Sequence, residues 1–186
     1  MTSRIRVDCA ARIALEGGVI AYPTEAVYGI GCLPWHEQAL LRVVALKRRS
    51  AQKGLIVVAA SVAQLGPLAV LPGGAIGDEM RALWPGPCTW IVPARHGLPP
   101  LLTGGRPTIA VRVSAHPIVQ RLCRRIGGAL VSTSANFSGA APARSALAVR
   151  RRLGPWVDYV LGGPLGDSPR PTEIRDAATG KVLRRG

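Results

Sequence analysis

The sequence has few aromatic residues and few cysteines. Only 4% of its 186 residues are Phe, Tyr or Trp, so exposed aromatic platforms of the kind on which single-stranded nucleic acids stack are not expected. Cys9, Cys32, Cys88 and Cys123 are far apart in the chain and form no C-x-x-C pair, which excludes the common zinc-binding spacings. We therefore expect reduced thiols and a core of aliphatic side chains.

Long apolar runs and several well-known catalytic motifs are also missing. No stretch reaches the roughly 20 apolar residues of a membrane span, and no apolar segment follows the basic N-terminus, so we expect a cytoplasmic protein without a secretory signal. The sequence contains no G-x-x-x-x-G-K-[ST] phosphate loop, no G-x-S-x-G elbow and no H-E-x-x-H. Any nucleotide must therefore be held in another way, and no metal-ligand set is predicted.

Acidic residues are scarce: the sequence has 10 of them and 24 basic residues, which gives a net charge of +14. A charge of this size favours anionic partners such as nucleotides, RNA or anionic lipid. Only Lys47, Lys53 and Lys181 are lysines, and the other basic residues are arginines. An arginine-rich chain with much Ala and Gly is also typical of a GC-rich genome, so the charge by itself leaves both explanations open.

Apolar patterns of helical and strand type alternate along the chain. Helices are predicted near residues 7–16, 36–49, 75–84, 116–126 and 145–153. Strands are predicted near 19–22, 55–60, 88–94, 108–113, 128–136 and 157–163. A Pro/Gly loop is expected at 95–107, and the tail, 164–186, is rich in Gly, Pro and Arg. Because two strands follow each other after residue 84 without an intervening helix, we predict a mixed sheet in one α/β domain over residues 1–186.

The stretch "VIAYPTEAVYGIGC" (19–32) ends an apolar strand in polar residues. Thr24 and Glu25 follow the strand at the place where α/β folds tend to hold ligands. The plainer alternative is a turn or a helix N-terminus, which Thr and Glu also favour. We interpret Gly29 and Gly31 as parts of a loop that bends around a substrate.

The stretch "LKRRSAQKG" (46–54) contains four basic residues, at positions 47, 48, 49 and 53. Basic residues suit the C-terminus of a helix through its dipole, but four of them exceed what capping needs. Arg can grip a phosphate with two N–H groups, and Lys acts as a compact charge. The stretch therefore predicts an anion site.

Two further strands carry polar residues. In "LVSTSANFSG" (130–139), hydroxyls, an amide and backbone N–H groups follow an apolar strand, which suits either a turn or a phosphate cradle. In "TIAVRVS", Arg112 is flanked by valines. It must reach either solvent or a polar pocket, because an unpartnered buried charge is costly.

Six stretches resemble the YrdC/TsaC family in order and spacing: "AYPTEAVYGIGC", "LKRRSAQKGLIVVAA", "WPGPCTWIVPA", "AVRVSAHP", "LVSTSANFSG" and "PTEIRDA". The likeness runs from about residue 4 to the last residue and includes a K-x-R pair (Lys47, Arg49) and an S-x-N pair (Ser134, Asn136). The short bacterial members are the most similar type. The resemblance implies a YrdC-like fold, in which a twisted mixed sheet with flanking helices surrounds a large basic concave cavity.

The family makes threonylcarbamoyl-adenylate. The resemblance therefore implies a nucleotidyltransferase that joins L-threonine, bicarbonate or CO2, and ATP, with release of pyrophosphate, for N6-threonylcarbamoyladenosine in tRNA. Mg2+ would arrive with ATP, bound through phosphates and water, and no protein metal ligand is expected. The implied partners are the downstream transferase proteins, with tRNA or double-stranded RNA as a further candidate.

The resemblance also implies a role for each matched residue. The expected catalytic cations, at ATP phosphates or the carbamate carboxylate, are Lys47 and Arg49. The residues expected around threonine or its carbamate are Thr24, Tyr28 and Arg112. The residues expected around the nucleotide, besides the two cations, are Thr89, Ser134, Asn136 and Thr172. Ser50 departs from the family pattern, because many relatives have Pro there, and "LIVVAA" lacks a His that helps to hold threonine in longer relatives.

A non-catalytic protein that binds double-stranded RNA, tRNA or rRNA is the alternative interpretation. Arg121, Arg124 and Arg125 share one face of a predicted helix, and Arg150–Arg152 form a second cluster. Binding through such clusters would weaken steeply with salt, although a solvated helix face has the same pattern. Carbamoyl transfer, as in multidomain proteins that contain this fold, ranks lower because their zinc-finger and acylphosphatase-like parts are missing here.

Overall fold

The computed structural model describes residues 2–48, 50–168 and 172–185. The α-helices in these ranges are α1 (Arg4–Leu15), α2 (Glu37–Lys47), α3 (Gly74–Leu83), α4 (Pro100–Thr103), α5 (Pro117–Ile126) and α6 (Ala146–Leu153). The strands are β1 (Ile20–Pro23), β2 (Tyr28–Gly31), β3 (Ile56–Ala59), β4 (Cys88–Pro93), β5 (Thr108–Val113), β6 (Leu130–Ser134), β7 (Tyr159–Val160), β8 (Glu173–Asp176) and β9 (Val182–Arg184). No helix in the described ranges is long and apolar enough to cross a membrane.

The nine described strands form one sheet in the order β7-β1-β2-β6-β3-β5-β4-β8-β9. The pairs β1/β7, β3/β5 and β4/β8 are parallel, and the other neighbours are antiparallel. The mixed sheet with flanking helices that the sequence predicts is therefore confirmed.

The two faces of the sheet pack against different helices. On one face, strand residues such as Val57, Trp90 and Val111 form the larger core with α2, α3 and α6. On the other face, a smaller core that includes Val58 and Leu130 packs against α1 and α5. Because successive side chains of a strand point to opposite faces, one strand can contribute to both cores, as β6 does with Leu130 and Val131.

The interpretation of Gly29 and Gly31 as a substrate loop is wrong, because both lie in β2. β1 and β2 form an antiparallel hairpin, and Thr24 and Glu25 belong to its turn rather than to a helix N-terminus. A Cβ atom at Gly31 would overlap the backbone oxygen of Val131 on β6. The glycine thus allows close approach of two backbones within the sheet.

The sequence pattern also misses three short elements. Helix α4 lies inside the segment expected to be a Pro/Gly loop, and β8 and β9 lie in the tail that shows no pattern. The strand expected near 157–163 is reduced to the two residues of β7. Segments this short span one turn or one pleat, so they leave almost no periodicity to detect.

Candidate active site

Two adjoining cavities lie on the face of the sheet that α1 and α5 cover in part. One, here called the Arg112 cavity, has a volume of about 170 Å3 and is lined by the β1–β2 turn, β2, β5, β6 and Thr172. The other, here called the Lys53 cavity, has a volume of about 360 Å3 and is lined by Lys53, Arg106 and residues of α4, β5 and β8. Ile56 and Arg184 line both cavities, so the two are direct neighbours, and together they are called the hollow.

Strand alternation brings the polar residues of the Arg112 cavity to this face. Ile109 and Val111 of β5 belong to the larger core. Arg112 directly follows Val111 in this strand, so its side chain points to the opposite face of the sheet. In β6, Leu130 belongs to the smaller core, and Ser132 and Ser134 follow it at intervals of two. The sequence left open whether Arg112 reaches solvent or a pocket, and the structure places it in the pocket.

Arg112 and Glu25 form a buried ion pair at the floor of this cavity. Their side chains are only 6% and 9% exposed, and Arg112 Nη1 lies 3.1 Å from Glu25 Oε2. Ser114 Oγ donates to Glu25 Oε1 at 2.6 Å. Burial alone would raise the pKa of Glu25, but the charge of Arg112 and the Ser114 hydroxyl outweigh it and hold that pKa below its usual value.

The same guanidinium still has an unused donor. Arg112 Nε is buried and has no hydrogen-bond partner within the described ranges. An unmet buried donor costs free energy, and a charged one favours an anionic ligand. Because Arg112 and Arg184 line the Arg112 cavity, the cavity suits a small molecule that carries a carboxylate.

His116 lies behind Glu25 and is buried as well. Its backbone N–H donates to Ser114 Oγ at 3.1 Å, and its Nε2 lies 3.3 Å from the carbonyl oxygen of Pro164. Burial lowers the pKa of His116 below 6.5, although the negative charge of Glu25 opposes this in part. The imidazole is therefore held neutral in the folded protein at a pH where it would be partly charged in the unfolded chain.

We expect stability to fall between pH 7 and pH 5 because of His116. In this pH range the imidazole takes up a proton more readily in the unfolded chain than in the folded protein. The free energy of unfolding therefore decreases as the pH falls through about 6.5. His116→Gln should reduce the difference between urea denaturation curves at pH 7 and pH 5. His96→Gln, at an exposed position, should leave it unchanged, and an equal reduction in both variants would contradict the assignment.

Lys47, Ser134 and Asn136 come together where α2 ends beside the loop after β6. The Lys47 ammonium donates to Asn136 O at 2.6 Å, to Asn136 Oδ1 at 2.7 Å and to Ser134 O at 2.7 Å. Ser134 Oγ in turn donates to Asn136 Oδ1 at 2.6 Å. Lys47 is only 4% exposed, so its charge orders this loop from within. Arg49, the second residue of the K-x-R pair, lies outside the described residues.

The C-terminal hairpin contributes two polar residues to the hollow. Thr172 Oγ1 lies 3.4 Å from the Oγ1 of fully buried Thr89, and Arg184 donates to the carbonyl oxygen of Thr172 at 2.7 Å. Desolvation, helped by the positive charge of Arg112, lowers the pKa of Arg184. Arg112 and Arg184 thus both line the Arg112 cavity, beside the carboxylate of Glu25.

The hollow contains many of the residues expected from the sequence, but not all in the same way. The expected residues that line the Arg112 cavity are Thr24, Tyr28, Arg112, Ser134 and Thr172. Thr89, Lys47 and Asn136 support that lining from behind through the contacts above. Ser132, one of the hydroxyl residues noted in the stretch 130–139, also lines this cavity. The residues that the sequence did not single out are Ser114, His116, Arg106 and Arg184. In the sequence, Glu25 directly follows Thr24 and Arg112 stands within an apolar strand, and these two features could have indicated the Glu25–Arg112 pair. No sequence pattern marks Arg184.

Comparisons of the sequence with known proteins agree over nearly the whole chain. A family model described as "Telomere recombination", for the Sua5, YciO and YrdC proteins, matches residues 12–186. The chain is 50% identical over 184 residues to a threonylcarbamoyl-AMP synthase of Pseudomonas aeruginosa, with 99% of both chains covered. It is 48% identical over 182 residues to a protein of the same name in Methylococcus capsulatus, with 98% of both covered.

Solved structures share the fold. P. abyssi Sua5 complexed with L-threonine matches with a TM-score of 0.89 and 31% identity, over 96% of this chain and 53% of that one. The present chain thus spans about half of that longer protein. E. coli YciO matches with a TM-score of 0.85 and 27% identity, over 99% of this chain and 90% of that one. On the strength of the near-complete sequence match and the shared sheet, the chain belongs to the Sua5/YciO/YrdC family.

Proposed function

We propose that this protein makes L-threonylcarbamoyl-AMP from L-threonine, bicarbonate or CO2, and ATP, with release of pyrophosphate. The observation that carries the proposal is the pair of neighbouring cavities, one lined by Arg112 and the other by Lys53 and Arg106, with Arg184 lining both. The relatives named threonylcarbamoyl-AMP synthase and the threonine complex of P. abyssi Sua5 support the same substrates.

The Arg112 cavity fits the threonine half of the reaction. The carboxylate of threonine, or that of its carbamate, would meet the guanidinium of Arg112, which lines this cavity. The hydroxyls of Ser132 and Ser134 and the Thr24 turn would line the rest of the molecule. Threonine carbamate decomposes readily in water, so a small cavity with a charged floor would extend its lifetime by holding it in place.

The Lys53 cavity fits the nucleotide half. Its floor is apolar, with Ile56, Ile91 and Ile174, and Lys53 and Arg184 add positive charge. An apolar floor suits a base, and the cations suit phosphates. Since Arg184 and Ile56 line both cavities, the carbamate oxygen would attack the α-phosphorus at this border, where positive charge stabilises the transition state.

The remaining parts of the proposal concern the metal, the compartment and the partners. Mg2+ would enter with ATP, and the described residues contain no cluster of three or more His, Cys, Asp or Glu side chains that would hold it. The product would pass to separate transferase proteins that modify tRNA. The free thiols Cys9, Cys32, Cys88 and Cys123 fit a reducing compartment such as the cytoplasm.

The alternative, a protein that only binds RNA, receives less support from the side-chain contacts. Arg125 forms an ion pair with Asp8 at 2.7 Å, and Arg124 donates to Gln120 at 3.1 Å on the same helix. Arg150 and Arg152 donate to backbone oxygens near their own helix. These arginines are thus engaged within the protein surface, outside the lining of the two cavities.

Purified protein incubated with ATP, Mg2+, L-threonine and bicarbonate tests the proposal. We expect pyrophosphate and threonylcarbamoyl-AMP in equal amounts, detected by a coupled assay and by mass spectrometry, and neither product when threonine or bicarbonate is left out. Arg150→Ala, at an exposed position on α6, should react at the wild-type rate. Salt-sensitive binding of double-stranded RNA without any threonine-dependent pyrophosphate would favour the alternative.

A further inference from the structure

Residues 161–168 run as an extended segment without helix or strand from β7 towards β8, and we call them the strap. β7 lies at one edge of the sheet, whereas β8 lies next to the opposite edge. The chain must therefore cross the sheet between these strands. A crossing segment without regular structure needs contacts of its own to stay in place, because its backbone groups have no ladder partners.

The Tyr28 hydroxyl provides two of these contacts. It donates to the carbonyl oxygen of Gly163 at 2.8 Å and accepts from the N–H of the same residue at 3.1 Å. Tyr28 is only 1% exposed, so water does not replace these bonds. A Cβ atom at Gly163 would collide with Ile118 and would lie 2.6 Å from Thr2 Oγ1, which shows how closely the strap is seated.

Further along, the strap holds the turn that carries Thr24 and Glu25. Gly166 N–H donates to Thr24 O at 3.1 Å, and Ser168 N–H donates to Glu25 O at 3.2 Å. Thr24 and Glu25 line the Arg112 cavity, and Glu25 is the ion-pair partner of Arg112. No strap residue lines either cavity, so the strap supports the threonine half of the site from behind, through the backbone of this turn.

We propose that Tyr28 is a positioning residue. Its hydroxyl fixes the strap, and the strap in turn holds the Thr24–Glu25 turn in the geometry that binds threonine. This assigns a different role from direct substrate contact, because both hydrogen-bonding functions of the hydroxyl are used by Gly163. The kinetic consequence rests on the proposed function, whereas the structural consequence does not.

Tyr28→Phe tests both consequences. Removal of the hydroxyl should speed amide hydrogen exchange at Gly166 and Ser168 by about fivefold, the factor that corresponds to a hydrogen bond of about 1 kcal/mol. The amide of Val131, which donates to Cys32 O in the sheet, should keep its relative protection. In the assay, the KM for threonine should rise about three- to tenfold, with kcat and the KM for ATP unchanged.

A merely structural role predicts another pattern. Loss of active protein would lower kcat and leave both KM values unchanged, and general destabilisation would speed exchange at Val131 as much as in the strap. Either result would overturn the proposal. Tyr159→Phe is the matched control, because the side chain of Tyr159 interacts with Cys9 on α1; it should change neither exchange in the strap nor the KM for threonine.

A second variant covers the case in which Tyr28→Phe does not fold. Thr2 Oγ1 donates to Gly162 O at 2.9 Å, so Thr2→Val loosens the strap at its start and should give the same pattern with a smaller amplitude. Unchanged exchange at Gly166 in this variant would count against the strap as a support. If the wild-type protein makes no threonylcarbamoyl-AMP, the proposed function fails, and the exchange measurements still decide the role of Tyr28.

Discussion

Replacement of Arg112 by methionine is expected to stop synthesis and to destabilise the protein at the same time. The variant leaves the Glu25 carboxylate buried without its cation, and breaking a buried ion pair from one side lowers the free energy of unfolding by about 3–5 kcal/mol. Pyrophosphate release should fall about 100-fold or more, because a positioned charged donor at the carboxylate is lost. Urea denaturation and the pyrophosphate assay measure the two effects.

The double variant Glu25→Gln/Arg112→Met separates the two effects. A neutral amide still accepts from Ser114 Oγ and has no charge to bury, so most of the lost stability should return. Turnover should remain as low as in the single variant, because the cation is still missing. Recovery of turnover in the double variant, or wild-type stability in Arg112→Met, would show that Arg112 does not have the role described above.

Replacement of Lys47 by methionine is expected to have the second largest effect. The ammonium bonds to acceptors on Ser134 and Asn136, and these partly buried acceptors would lose their donor. We expect the free energy of unfolding to fall by about 2–3 kcal/mol and turnover to fall about 100-fold, since Ser134 lines the Arg112 cavity. The sequence alone suggests a loss of turnover with little loss of stability, and the burial of Lys47 changes that expectation.

Lys53→Met is the matched control, because Lys53 is an exposed lysine of the same basic stretch. It lines the nucleotide half of the hollow, so the KM for ATP should rise while stability stays within about 0.5 kcal/mol of the wild type. Thermal denaturation and ATP titrations compare the two variants. If Lys47→Met proves as stable as Lys53→Met, the ammonium does not order the loop after β6.

The fold was predictable wherever an element is long enough to show a period. Strand β5 has the predicted bounds, residues 108–113, and α5 differs by one residue from the predicted 116–126. A stretch rich in β-branched residues and an apolar repeat of three to four residues are both clear signals. β8 and β9 have four and three residues and lie among Gly, Pro and Arg. They became strands only because β4 and β8 offer edges for pairing.

The candidate site was predictable as a set of segments but not as a geometry. The motifs indicated that Thr24, Arg112, Ser134 and Thr172 belong together, and all four line one cavity. The motifs did not indicate that the Tyr28 hydroxyl would bond to the backbone of Gly163. A sequence motif records which residue types are present, whereas the choice of a hydrogen-bond partner depends on which backbone passes within 3 Å.

The sequence by itself determined the class of fold, the excess of positive charge and the family, because periodicity, composition and motif order are properties of neighbours along a chain. Only the tertiary structure decided which cations are buried and what faces them. Arg112 meets Glu25 across 87 positions of sequence, and Lys47 meets Ser134 across another 87. Whether a charge is a ligand site, a buried pair or a solvated surface group depends on the local dielectric and on the opposite charge nearby, and both are set by chain segments that are remote in sequence.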